Sequence, residues 1–139
     1  MKRYYAVFDT NVIVSALMTK NQHSPTVKLL DFVVAKTVVP VYNDDILEEY
    51  KDVLSRAKFH FDTERIDAVL ETIRTGIYVG RTHVEWDFPD EDDTVFYEVA
   101  MSVDDAYLVT GNTRHFPKVN KVVTPAEMVN IIEEANLIN

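Results

Sequence analysis

Apolar runs alternate with helical patterns along the chain, and this alternation is the feature that most restricts the fold. The short runs are typical of strands, whereas the segments between them repeat apolar residues at every third or fourth position. The predicted order is β-α-α-β-α-α-β-α-β-β-α. Strands joined through helices form a parallel sheet with helices packed on it, so the fold class is α/β. The 139 residues, 47% of them hydrophobic, are enough for one domain over residues 1–139.

Three local signals define individual elements. Ser24 and Pro25 predict a helix start, because a Ser hydroxyl caps a helix and Pro fits its first position. Gly76 is expected to end the fourth helix as its C-terminal cap. Pro40 lacks an N–H donor, so its strand is expected to end there or to lie at a sheet edge. The predicted strands are Tyr4–Phe8, Thr37–Val41, a short strand near Tyr78, Ala106–Thr110 and Lys121–Thr124.

The composition excludes several classes of protein and site. No run of about 18 apolar residues could span a membrane, and no apolar signal-peptide segment follows the basic start. The absence of Cys excludes disulfides and Cys-ligated metal sites, and we expect a cytoplasmic protein. A formal charge of −9 argues against general attraction to duplex DNA. It does not exclude a nuclease, because acids that hold divalent cations are partly neutralised in use.

Acidic residues occur where parallel strands or their following helices would bring them together. Asp9 follows the first strand directly, and ligands of parallel sheets collect at the carboxyl ends of strands. Taken alone, Asp9 is more simply a helix cap, although Thr10 could cap in its place. On a helical wheel, Glu49 falls beside the apolar face of the third helix, while Glu48 points to the opposite side.

The stretch "DFPDEDD", residues 87–93, holds five acids just before a helix. Acids near a helix N-terminus are favoured by its dipole, but five exceed what capping needs. Asp93 is best placed to point into a site, with Asp92 and Asp90 as rivals. In "LVTGN", a second apolar strand ends in polar residues, and Asn112 there is either a turn residue or a neutral ligand near a metal.

An all-oxygen carboxylate site favours Mg²⁺ or Mn²⁺ over zinc, because hard cations prefer oxygen ligands. Such ions position a phosphodiester and activate water, so no side-chain nucleophile is needed. The HExxH, P-loop and GxSxG patterns are absent from the sequence. Arg114 and His115, just after the "LVTGN" turn, are candidate phosphate contacts. The single tryptophan, Trp86, is expected to be a packing residue.

Taken together, these motifs resemble those of the PIN-domain family of metal-dependent nucleases. "VFDTNVIVSAL" resembles the opening motif of the family and "ILEEYKDVLSRAKF" its acidic helix. "DEDDTVFYEVA" and "AYLVTGNTRHF" resemble its third and fourth motifs. The resemblance covers nearly the whole chain and is nearest to the branch of prokaryotic toxin components. It implies a three-layer α/β/α sandwich with a parallel central sheet, in agreement with the strand and helix pattern.

By this resemblance, Asp9, Glu49 and Asp93 are the metal ligands, and Asn112 takes the fourth catalytic position. Asn11 and Thr110 would be polar supports beside the ligands. The fourth position is often Asp in the family, so Asn112 bears on whether one or two metal ions bind. The resemblance also implies endonucleolytic cleavage of RNA, frequent homodimers and a small inhibitory antitoxin protein.

Two other functions are consistent with parts of the sequence. A haloacid-dehalogenase-like phosphatase also begins with Asp after an apolar strand. That chemistry needs a second Asp two residues later, where this chain has Asn11. A non-catalytic PIN-fold interaction domain is the other alternative, and the neutral Asn112 keeps it open.

Overall fold

A computed structural model describes residues 2–138. Its strands are β1 (Tyr4–Phe8), β2 (Val38–Tyr42), β3 (Ile77–Tyr78), β4 (Ala106–Val109) and β5 (Val122–Val123). Its helices are α1 (Thr10–Met18), α2 (Pro25–Val34), α3 (Asp44–Leu54), α4 (Thr63–Arg74), α5 (Thr94–Met101) and α6 (Pro125–Ile138). The predicted order of strands and helices is confirmed. Short 3₁₀ turns at Ala57–Phe59, Glu91–Asp93 and Thr113–His115 lie between these elements.

The five strands form one parallel sheet in the order β3-β2-β1-β4-β5. On one side α2 packs against α1, α4 and α6, whereas α5 lies across β1, β2 and β4 beside α3. This arrangement is the predicted three-layer α/β/α sandwich. Because β1 and β4 are neighbours at the centre of the sheet, the residues that follow them meet at its carboxyl edge. No described helix is both long and apolar enough to cross a membrane.

Pro40 does not mark a sheet edge, contrary to the prediction. It is the third of five residues in β2 and pairs with Ala6 of β1, so its strand lies inside the sheet. β3 joins β2 only from the pair Val41 and Ile77 onward. The missing N–H of Pro40 is tolerated because this side of β2 has no strand partner until the next residue.

Gly76 follows the C-cap of α4, and its N–H donates to the carbonyl of Ile73 at 3.0 Å, as expected at a helix end. The need for glycine, however, comes from a close contact between backbones. α4 ends at Arg74, and none of the described glycines has a positive φ. A Cβ at Gly76 would lie 1.8 Å from the carbonyl oxygen of Pro40. Only glycine therefore lets the chain enter β3 so close to β2.

The segment between β3 and the Glu91–Asp93 turn is held against α5 by a buried carboxylate. Glu98 accepts hydrogen bonds from Arg81 Nε and from the N–H of Val84, both at 2.9 Å. Burial acts to raise the pKa of Glu98, but the hydrogen bonds from Arg81 and Val84 hold it below its ordinary value. These contacts fix the segment that carries the acidic stretch 87–93 at the edge of the sheet.

Candidate active site

Asp9 and Thr110 meet at the carboxyl edge of the sheet, because each directly follows one of the two central strands. The hydroxyl of Thr110 donates a hydrogen bond to Oδ2 of Asp9 at 2.7 Å. Asp9 is 5% exposed and Thr110 is fully buried. The two residues are 101 positions apart in sequence, so this contact depends on the parallel pairing of β1 with β4.

Asp9 lies at the N-cap position of α1, yet its side chain forms no capping hydrogen bond to that helix. The expected capping hydrogen bond is therefore not formed, although the backbone N–H groups of Thr10 and Asn11 act to lower the pKa of Asp9. Thr10 does not cap in its place, because its buried hydroxyl has no hydrogen-bond partner. Burial raises the pKa of Asp9 above the ordinary value, and the hydrogen bond from Thr110 opposes that rise.

Asp93 is the second buried carboxylate at this edge. It ends the Glu91–Asp93 turn and precedes α5, and its Oδ2 lies 3.2 Å from Nδ1 of His115. Burial, followed by the negative charges of Asp9 and Asp90, raises the pKa of Asp93 to about 6, while His115 acts to lower it. Asp9 and Asp93 thus form a pair of buried carboxylates that repel each other.

Glu49 lies nearer to the acidic turn than to this pair. Glu48 is exposed and Glu49 is half-buried, as the helical wheel predicted. Burial raises the pKa of Glu49, and so do the nearby charges of Asp92, Asp52 and, more weakly, Asp90.

The expected convergence of three carboxylates is therefore not observed. Across residues 2–138, no three His, Cys, Asp or Glu side chains lie close enough to form a metal-binding group. Asp9 and Asp93 are close enough for the charge of Asp9 to raise the pKa of Asp93. Glu49 is half-buried on α3, and the charges that act most strongly on its pKa are those of Asp92, Asp52, Arg56 and Asp90.

The three acids that were rivals within residues 87–93 differ in burial. Asp93 is 9% exposed, whereas Asp90 and Asp92 are on the surface. Asp90 accepts a hydrogen bond from the N–H of Asp92 at 3.0 Å, so its side chain caps the turn. Of the three, only Asp93 points toward Asp9.

The predicted neutral residues, Asn11 and Asn112, are both exposed, two positions after Asp9 and Thr110 respectively. Asn112 is exposed at the turn after β4, and its N–H donates to the hydroxyl of Thr110 at 3.0 Å. Its side chain does not cap the Thr113–His115 turn that follows. Asn11 is exposed in the first turn of α1. Thr110 therefore links the Asp9 carboxylate to the backbone of Asn112.

Two contacts of the site were not predicted from the sequence. Tyr50 is 1% exposed, and its hydroxyl donates to the carbonyl of Phe8, the residue before Asp9. Its position at the centre of the apolar stripe of α3, directly after Glu49, was the available signal. The contact of His115 with Asp93 was also missed, since His115 was predicted only to contact phosphate.

Arg114 lies near β5. It is exposed and lines, together with Lys118, a groove of about 350 Å³ beside the Thr113–His115 turn. The two cations are the nearest positive side chains beyond the "LVTGN" turn in sequence.

A comparison with protein families agrees with this geometry. A family model of the PIN domain matches residues 5–114, which include Asp9, Glu49, Asp93 and Asn112. No individual curated protein matches the chain significantly. PIN domains are generally nucleases and typically use divalent metal ions. The matched residues extend from β1 to the turn after β4, and the chain belongs to the PIN-domain family.

Proposed function

We propose that the protein is a Mg²⁺- or Mn²⁺-dependent endoribonuclease that hydrolyses phosphodiester bonds of RNA. The observation that carries this proposal is the pair of buried carboxylates, Asp9 and Asp93, at the carboxyl edge of the sheet. The pKa of each is raised, chiefly by burial. Two such groups are costly to keep ionised unless a cation is bound between or beside them.

The donor set fits a hard divalent cation. Mg²⁺ is commonly bound through one or two carboxylates and keeps several of its waters. Asp9 and Asp93 would supply the carboxylates, Glu49 a third acidic group from α3, and Asn112 a neutral oxygen from the turn after β4. When bound, the ion supplies polarisation of the phosphoryl oxygens and activation of water.

The remaining contacts keep these donors in position. The hydroxyl of Thr110 orients Asp9, and His115 holds Asp93 on the other side of the cleft. Arg114 provides an exposed positive charge next to the turn that carries Asn112. This charge would counter the repulsion between an RNA phosphate and the acidic cleft.

A toxin role, with a small antitoxin protein as inhibitor and a homodimer as the working form, extends this proposal. It is supported by the resemblance of the motifs to the toxin branch of the family. The second candidate is a PIN-fold domain that binds partners without cleavage, and the neutral Asn112 favours it. The phosphatase alternative lacks its acid–base group, because Asn11 stands where that chemistry needs Asp.

The test uses purified protein and end-labelled single-stranded RNA with Mg²⁺, with Mn²⁺ and with EDTA. We expect metal-dependent internal cleavage. Asp9→Asn and Asp93→Asn should each reduce its rate by more than about 100-fold, because loss of a group that merely supports a ligand already costs about 10–100-fold. The matched control is Asp92→Asn, an exposed neighbour of Asp93.

Four results would contradict the proposal. Cleavage that persists in EDTA, or in both buried-carboxylate variants, would exclude a metal-dependent site at these residues. RNA binding without cleavage under every metal condition would favour the interaction domain. Hydrolysis of p-nitrophenyl phosphate without RNA cleavage would favour the phosphatase.

A further inference from the structure

Trp86 is exposed, although Val84 and Phe88, two positions away on either side, pack against the core. It is the single tryptophan of the chain and is 40% exposed, in the segment between β3 and the acidic turn. Its ring meets that of Phe88 edge to face, with centroids 4.7 Å apart. Phe88 is half-buried and covers the core at this point. Packing in the core, which was the expected role of Trp86, therefore does not explain why this side chain is exposed.

Phe88 connects Trp86 to the active site. Its ring centroid lies 6.2 Å from that of Phe116, which is 2% exposed. Phe116 directly follows His115, the residue in contact with Asp93. A short row of aromatic rings thus leads from the carboxylate pair to the surface at Trp86.

Trp86 lines a cleft of about 410 Å³ that borders the acidic turn. Glu91 and Thr94, on either side of Asp93 in sequence, line the same cleft. His83, whose side chain is 79% exposed, and Arg81 add polar groups, and both contact Glu98. The acids Asp87, Glu91 and Glu98 also line the cleft. An aromatic face combined with polar groups is the environment that proteins use for an unpaired nucleobase, which stacks by its face and hydrogen-bonds by its edge.

The segment that carries Trp86 is held in place before any ligand arrives. Glu98 on α5 binds both Arg81 and the N–H of Val84, two residues before Trp86. The edge-to-face contact with Phe88 fixes the ring from the other side. A pre-positioned ring loses little freedom when a base stacks on it, and this favours binding.

We propose that Trp86 is a stacking platform for an unpaired base of single-stranded RNA whose backbone crosses the Asp9–Asp93 site. The inference rests on the proposed function and adds to it a residue that binds the RNA substrate. Base-paired RNA keeps its bases stacked in the helix and cannot offer one to the ring. The base that Trp86 takes lies outside the cleaved bond, so the ring contributes to binding rather than to the chemical step.

The first test measures the emission of Trp86, the only indole in the chain. The Asp93→Asn variant is titrated with a single-stranded RNA oligonucleotide and with the duplex of the same sequence. Stacking should quench or shift the emission with the single strand, and the duplex should give no such change. Equal changes with both ligands would overturn the proposal.

The second test measures steady-state cleavage of single-stranded RNA by Trp86→Ala and Trp86→Phe. Loss of one base–aromatic stack should raise KM by roughly 5- to 100-fold, with kcat within about twofold of the parent because the ring does not touch the reacting atoms. Trp86→Phe should restore most of the affinity. The control is Val34→Ala, a 71% exposed apolar residue at the C-terminal end of α2, which should leave KM unchanged.

The outcomes separate this inference from the proposed function. Cleavage by the parent with an unchanged KM in Trp86→Ala would overturn the stacking role and leave the nuclease in place. A lower kcat with unchanged KM would also overturn it. A parent that neither cleaves nor binds RNA would overturn both proposals.

Discussion

Replacing Asp93 by Asn should stabilise the protein at neutral pH while it abolishes cleavage. Burial and the charges of Asp9 and Asp90 raise the pKa of Asp93 from 3.8 to about 6. At about 1.36 kcal/mol per unit, ionised Asp93 costs the folded state about 3 kcal/mol above that pH. The pKa of about 6 already includes the opposing effect of His115, and solvent screening reduces the cost by about 1 kcal/mol. The net gain of about 2 kcal/mol corresponds to a Tm higher by about 8 °C.

The gain should depend on pH with a definite sign. Because the folded pKa of Asp93 is above the unfolded value, the folded protein holds this proton more tightly. The free energy of unfolding of the parent should therefore fall as the pH rises from about 4 through about 6. Asn has no proton to lose, so the free energy of unfolding of the variant should exceed that of the parent only above that pH range. Urea denaturation in EDTA at a series of pH values measures the free energy of unfolding of the parent and of the variant.

The control for this experiment is Asp92→Asn, which removes an exposed acid from the same turn. Its free energy of unfolding should stay within about 0.5 kcal/mol of the parent at every pH. The reasoning would be refuted if Asp93→Asn were less stable than the parent at neutral pH. A gain that does not change with pH would refute it as well.

Other substitutions test the contacts around the site. Thr110→Val removes the hydroxyl that donates to buried Asp9 and should lower the free energy of unfolding by about 1.5–3 kcal/mol; urea titration measures the loss, and Thr110→Ser should largely restore stability. Gly76→Ala places a Cβ against the carbonyl of Pro40 and should cost more than about 2 kcal/mol, whereas Gly111→Ala, in open space, should change stability by less than about 1 kcal/mol in the same assay. Mg²⁺ at about 100 times its dissociation constant should raise the free energy of unfolding by about 2.7 kcal/mol in a calorimetric scan, and EDTA should reverse the gain.

The order of strands and helices could be predicted because each element carries its own local signal. Ser24 accepts from the N–H of Val27 at the start of α2, where a capping Ser and Pro25 were expected. Pro40 was misinterpreted, and the close contact at Gly76 was missed, for a shared reason. Each was assigned a local role, whereas their identities reflect the close approach of β2 to the chain entering β3. Contacts between segments distant in sequence leave no periodic signal.

The part of the site that could be predicted is the part in which the topology of the sheet alone determines where the residues lie. Asp9 and Thr110 follow adjacent central strands, so the sheet brings them together whatever the loops do. Glu49 is half-buried and Glu48 exposed, as the helical wheel predicted, but helical periodicity gives a direction and not a distance. The separation of Glu49 from the buried pair depends on how α3 packs and on the path of the acidic turn. The path of the same turn also determines that Asp93 is buried while Asp92 is exposed. No spacing of residues in the sequence predicts that path.

The last strand lies outside the residues that match the PIN family, which end at 114, yet it supports the site. The carbonyl of Val123 in β5 accepts the backbone N–H of Thr110 at 2.9 Å, and the hydroxyl of Thr110 holds Asp9. A chain cut at residue 114 would lose that anchor. It would also leave β4 as an open edge, whose unpaired N–H and C=O groups can recruit strands from other molecules. The alignment of Asp9 and the resistance of this sheet to aggregation thus depend on the same two-residue strand.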